Sequence, residues 1–179
     1  MGIRLSLGDI TTVDADAIVN AANSALRRGG GVCGAIHAAA GPELARACAA
    51  YVAEHGPVTP GGSAMTPGFD LRARFVVHTV GPVWAGGTQG EAAVLASAYR
   101  SAVEVADATG LSSIAFPSIS TGIFGYPVDL AAPVALRSVA EALAHAAGLR
   151  DATFVLFDER TYSAYVRANS RVNDDRPRP

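Results

Sequence analysis

The chain has 179 residues, half of them apolar and 17% charged, which suits one globular domain around one core and excludes a disordered chain. Its 14 basic and 16 acidic side chains leave a formal net charge of -2 without a basic stripe, so extended nucleic-acid binding has no electrostatic footprint and a small ligand is the better expectation. Every basic residue is arginine; without lysine, neither a lysine Schiff base nor a Walker-type phosphate loop can be built.

Short apolar runs alternate with longer Ala-rich stretches of helical period. Strands are predicted over 3–7, 17–20, 63–67, 75–80, 113–118 and 153–157, several of them apolar enough to be buried on both faces. Helices are predicted over 33–40, 42–55, 90–108, 129–147 and 159–169. That order implies a layered α/β domain with helices on both faces of the sheet. Pro42 and Pro127 suit first helical turns, Gly148 suits a helix end, and Pro133 implies either a kink or a later start. One domain is expected over 1–170, with the charged, proline-containing residues 171–179 as a disordered tail.

Cys33 and Cys48 form no C-x-x-C pair and the histidines are dispersed, so neither a metal site nor a disulfide framework is expected, and no cofactor is implied. The N-terminus lacks an export pattern and no apolar run would span a bilayer, so a cytoplasmic protein with no membrane partner is the expectation. Nothing demands more than a monomer.

The unusual residues fall in loops that follow strands, where ligands bind in doubly wound sheets. These are "GDIT" after the first strand, "NAANSALRRGGGVCGAIH" after the second, "PSISTGIFGYP" after the fifth and "DERTY" after the sixth. Gly29, Gly30 and Gly31 let backbone N–H groups approach an anion ahead of a helix N-terminus. Ser118, Ser120 and Thr121 offer hydroxyls beside the permissive Gly122 and Gly125. A tight turn explains either loop alone; two on one sheet edge favour a diphosphate ligand.

Taken in order, "GDIT", "VDADAIVNAANSALRRGGGVCGAIHAAAG", "PSISTGIFGYP" and "FVLFDERTYSAY" resemble the signature segments of the macrodomain family, and most closely its MacroD-type hydrolases, over about residues 3–169. The resemblance implies a three-layer α/β/α fold with a mixed central sheet and a cleft for ADP-ribose. Asp9 would accept from the adenine amino group beside Ile10, and Phe157 would stack on the ring. Gly30, Gly31 and Val32 would cover the diphosphate from one side, and Ser118, Ser120, Thr121, Gly122, Ile123 and Phe124 from the other, Phe124 also shaping the distal ribose pocket. The implied activity is release of ADP-ribose from carboxyl-linked mono-ADP-ribosylated proteins by hydrolysis at the anomeric carbon of the distal ribose. O-acetyl-ADP-ribose and ADP-ribosylated nucleic acid are further substrate classes. Asn23 would hold the distal ribose hydroxyls, while Asn20 would tie loop backbone together.

The chain departs from the family at Cys33, where the pattern carries an aspartate that orients the attacking water. A neutral thiol is a weak hydrogen-bonding group and not an anionic acceptor. Four readings stay open: the bound diphosphate holds the water; the cleft binds ADP-ribose without catalysis; Cys33 is a nucleophile paired with His37 one helical turn on; or Asp129 substitutes, against the plainer reading that it stabilises a helix N-terminus. Asp14 and Asp16 are expected at the opposite sheet edge. Trp84 either lines the cleft or packs beside the core, and Arg27 and Arg28 are expected to be solvated loop charges.

Overall fold

The computed structural model describes residues 2–174. Six strands, β1 (Gly2–Leu7), β2 (Ala17–Ala21), β3 (Ser63–Pro67), β4 (Phe75–Thr79), β5 (Ser113–Phe116) and β6 (Asp151–Leu156), form one sheet in the order β1-β6-β5-β2-β4-β3. All neighbours are parallel except β3, which runs antiparallel to β4. The mixed sheet carries five helices, α1 (Gly31–Ala40), α2 (Pro42–His55), α3 (Glu91–Ala108), α4 (Val128–His145) and α5 (Glu159–Asp174).

Strand alternation sends side chains into two cores. Ala17 and Val19 of β2 face the core built with Leu95 and Tyr99 of α3, Leu136 of α4 and Tyr165 of α5. Ile18 between them faces the core built with Ile36 of α1 and Leu44 and Cys48 of α2. Period-2 alternation with both faces apolar is what a strand covered by two helix layers requires. The expected three-layer arrangement follows from this division.

Element existence and order match the sequence reading; the differences lie at ends. Pro117 cannot donate to a ladder, and β5 stops before it at Phe116. Helix α4 begins at Val128, so Pro133 lies inside it, and ends at His145 with Ala146 as its cap. Gly148 is not that cap: its N–H, with those of Ala147 and Leu149, donates to the Asp107 carboxylate, which bridges the turn into β6. Helix α5 continues through Asp174, into the segment expected as a tail; residues 175–179 lie outside the described residues.

Two groups set an acid limit on the fold. Glu91 accepts the N–H groups of Ala85, Gly87 and Gln89, and backbone hydrogen bonding holds its carboxyl at about 2. His78 is fully buried, and desolvation lowers its pKa from 6.5 to about 3. Both bind protons more weakly folded than unfolded, so each contributes stability that is complete above its unfolded value and lost as pH falls towards its folded one. The melting temperature is expected to fall from pH 6.5 down to about 3 through His78, and further towards about 2 through Glu91. A thermal melt series that stays flat between pH 6.5 and 4 would contradict this assignment.

Candidate functional site

At the carboxyl edge of the parallel strands the loops enclose a cleft of about 550 Å³. Its order follows the sheet: Asp9 and Ile10 after β1, Phe157 after β6, Ser118 to Phe124 after β5, Asn23 and Gly29 to Cys33 after β2, and Gly81 beyond β4. From β1 to β2 is three strand spacings, about 14 Å, so the cleft is elongated across the sheet edge.

At the β1 end, Asp9 caps the short 3-10 turn Ile10–Thr12; its Oδ1 accepts from the Thr11 N–H at 2.9 Å and the Thr11 hydroxyl at 2.8 Å. Oδ2 has no protein donor among the described residues and remains available to a ligand. Phe157 is not core. With 82% of its surface exposed, the ring stands at the cleft rim, an apolar face with nothing packed to cover it.

The two glycine-bearing loops face each other across the middle. A methyl group on Gly30 would sit 3.0 Å from Cδ1 of the exposed Ile123, so the loops lie close together and a side chain at Gly30 would press on the Ile123 tip. Gly31 opens α1 with φ +57°, a conformation that favours glycine. The N–H groups of Gly30, Gly31, Val32 and Cys33, and those of Ser120, Thr121, Gly122, Ile123 and Phe124, have no protein acceptor among the described residues. Unmet donors on both walls, with one set at a helix N-terminus, are an arrangement suited to an anion.

The hydroxyls serve otherwise than the sequence suggests. Thr121 Oγ1 donates to the Ser118 carbonyl at 3.0 Å, and Ser118 Oγ accepts from the buried Tyr165 hydroxyl at 3.0 Å. Tyr99 accepts the Ile119 N–H at 2.9 Å, so two buried phenols pin this loop from below. Ser120 takes a left-handed backbone (φ +67°), and its buried Oγ is unpartnered among the described residues. It packs against Gly81, where a side chain would collide with Ser120 Oγ and Ile119. Gly81 was not singled out from the sequence; a glycine directly after the apolar run "FVVHTV" is the signal it left.

Asn23 lines the cleft and also clamps its own loop. Nδ2 donates to the Arg27 carbonyl at 2.7 Å, and Oδ1 accepts the Arg27 N–H at 3.1 Å. A primary amide has two hydrogens and two lone pairs, so one of each stays free to meet a ligand from a fixed orientation. Asn20 does not tie loop backbone. It is 1% exposed, and its Nδ2 reaches His78 Nδ1 at 3.1 Å and Cys33 Sγ at 3.7 Å.

Cys33 is buried at the cleft floor, where Sγ accepts the Gly29 N–H at 3.4 Å and donates to the Arg27 carbonyl at 3.8 Å. His37 lies on the same helix, yet no hydrogen bond joins it to Cys33. Desolvation and the nearby Arg28 charge lower the His37 pKa. Asp129 does not reach the cleft. It projects from the first turn of α4 to an exposed ion pair with Arg167 of α5 at 2.8 Å, and cannot stand in for the absent carboxylate. Asp16 caps the other sheet edge, taking the N–H groups of Ser112 and Ser113. Trp84 packs on Tyr126 at 4.5 Å between ring centres beside the core. Arg27 and Arg28 are exposed. Among the described residues no His, Cys, Asp and Glu side chains group as a metal site, and no helix is long and apolar enough to cross a membrane.

Residues 19–135 match the Macro domain family. The chain is 52% identical to a macro domain-containing protein of Ralstonia nicotianae over 93% of each chain, and 50% identical to an O-acetyl-ADP-ribose deacetylase of Klebsiella pneumoniae over 90% of this chain and 92% of that one. Among solved structures, the Oceanobacillus iheyensis macrodomain with ADP superposes with a TM-score of 0.91 at 42% identity, covering 96% of this chain and 92% of that one. A Trypanosoma brucei macrodomain in complex with ADP-ribose gives 0.85 at 40% identity, covering 93% and 68%.

Proposed function

Because the chain belongs to the Macro domain family, we propose that its cleft binds ADP-ribose and hydrolyses the bond joining the distal ribose to a carboxyl group, with mono-ADP-ribosylated acidic side chains of proteins as substrate. The observation that carries this reading is the double row of unpaired N–H groups on the two glycine loops, midway between the free Asp9 Oδ2 with the bare Phe157 ring and the half-free Asn23 amide. An adenine, a diphosphate and a ribose, in that order along about 14 Å of sheet edge, match the order of these groups.

In the proposed reaction a water oxygen bonds to the anomeric carbon while the bond to the carboxylate oxygen breaks. The acid departs as carboxylate, and the water's second proton passes to solvent. Asn23 orients the ribose hydroxyls, and a diphosphate oxygen, held by backbone donors, accepts a hydrogen bond from the attacking water. Positioning of this kind supplies catalysis without a general base.

The names of the enterobacterial relatives favour a second substrate, O-acetyl-ADP-ribose, whose acetyl ester hangs from the same ribose. One experiment separates the readings. Purified protein is incubated with glutamate-ADP-ribosylated protein and, separately, with O-acetyl-ADP-ribose, while ADP-ribose binding is measured by calorimetry. Release of ADP-ribose from the modified protein is expected. Turnover of the acetyl ester alone would leave the second reading, and binding without any turnover would make the chain a reader of the modification.

Phe157 offers a test of the adenine end. Because its ring is exposed, Phe157→Ala should leave thermal stability within experimental error while weakening ADP-ribose binding about 10-fold through lost stacking. Unchanged affinity would remove the ring from the site.

A further inference from the structure

Below the cleft floor a string of buried polar groups crosses three neighbouring strands, and none of its strand residues lines the cleft. Asn20 of β2 and His78 of β4 are register partners, Thr66 of β3 reaches His78 from a diagonal position, and Cys33 of α1 closes the string against the glycine loop. Thr66 Oγ1 donates to the Pro67 carbonyl at 3.2 Å and lies 2.9 Å from His78 Nε2. Assigning that proton to the carbonyl makes the hydroxyl an acceptor for a ring hydrogen on Nε2, with Cys48 Sγ of α2 beside the same nitrogen at 3.6 Å. Burial keeps the ring neutral, and Nδ1 is therefore left as a bare acceptor. Asn20 Nδ2 fills it at 3.1 Å and directs its second hydrogen to Cys33 Sγ at 3.7 Å. The reverse amide orientation would strand both donors, whereas this one strands only the carbonyl oxygen. Cys33 Sγ in turn takes the Gly29 N–H, the residue immediately before the anion-binding loop.

We propose that His78 is a positioning residue for the anion-binding loop: its Nδ1 orients the Asn20 amide, which orients the Cys33 side chain, which holds Gly29 and so the backbone donors that follow it. The inference rests on the reading of the cleft as the ADP-ribose site. It assigns a functional polarity to the two ring nitrogens, Nδ1 facing the loop through Asn20 and Nε2 facing Thr66 of the sheet and Cys48 of α2.

That polarity makes the test. The Oδ1 of an asparagine falls near the Nδ1 position and keeps the acceptor for Asn20, whereas glutamine mimics the Nε2 side and does not. His78→Asn is expected to bind ADP-ribose within about 3-fold of the parent and His78→Gln about 10-fold more weakly, the loss of one well-placed hydrogen bond. Amide hydrogen exchange at Gly29 should be faster in His78→Gln than in His78→Asn. Both differences are to be read between variants of matched melting temperature; equal affinity and equal exchange in the pair would overturn the proposal.

Should the parent protein fail to bind ADP-ribose, the proposed function falls, and Gly29 exchange still decides the positioning role. Should either variant fail to fold, long-range nitrogen–proton correlation spectra of the parent decide: a ring protonated at Nε2 supports the chain of contacts, and one protonated at Nδ1 overturns it.

Discussion

Asn23→Ala is expected to reduce turnover on the order of 100-fold, more than any other single truncation in the cleft. Two losses coincide. The amide hydrogen and lone pair left free for the ribose disappear, and so does the two-point clamp on Arg27 that fixes where they point. Without the clamp the Arg27 carbonyl, which also accepts from Cys33 Sγ, is held only by that weak thiol contact. ADP-ribose binding should suffer less, because of the diphosphate donors only Gly30 shares the Asn23 loop, while the others belong to α1 and to the loop after β5, and the Phe157 ring stands after β6. Single-turnover kinetics beside calorimetry separate the two effects. Turnover within about 3-fold of the parent would show that the amide serves only the loop.

Asn23→Asp refines the same point. The carboxylate keeps an acceptor for the Arg27 N–H but places an anion against the Arg27 carbonyl where Nδ2 now donates. It should therefore lose turnover nearly as fully as alanine although its shape is retained. A merely space-filling role would spare it.

These contrasts also mark where the sequence was legible. The glycine run at 29–31 and the hydroxyl-rich loop announce an anion site because their signal is local: permissive backbone directly after an apolar strand. The buried string was invisible for the opposite reason. Asn20 and His78 pair across β2 and β4, and Thr66 arrives through the antiparallel β3, contacts set by register between segments far apart in the chain. All that the sequence displayed was a polar residue near the end of each of two apolar runs. Ser118 and Thr121 show the limit of composition: the right atoms lie in the right loop, yet their hydrogen bonds hold the loop's own frame. Asp129 fails for a helical reason. Its place in the first turn of α4 was readable, but the turn's rotation, which carries the carboxylate to Arg167 of α5, depends on how two helices pack.

Cys33→Asp should raise turnover by about 10- to 100-fold, the contribution of a positioned acceptor for the attacking water. The pocket is already arranged for an anion. Asn20 Nδ2 and the Gly29 N–H both point at Sγ, and residue 33 lies in the first turn of α1, where the helix dipole favours negative charge. The Arg27 carbonyl, now the acceptor of the thiol proton, opposes the change by lone-pair repulsion. Two donors and a helix terminus against one carbonyl decide the sign in favour of the carboxylate. Cys33→Ala gives the complementary expectation: if the diphosphate holds the water, removing the thiol leaves most turnover and costs chiefly the Gly29 contact. Near-total loss in Cys33→Ala, with a trapped covalent adduct in the parent, would instead make the thiol the nucleophile. A rate unchanged in Cys33→Asp would place the water beyond the reach of residue 33 and leave the diphosphate oxygens as its holder.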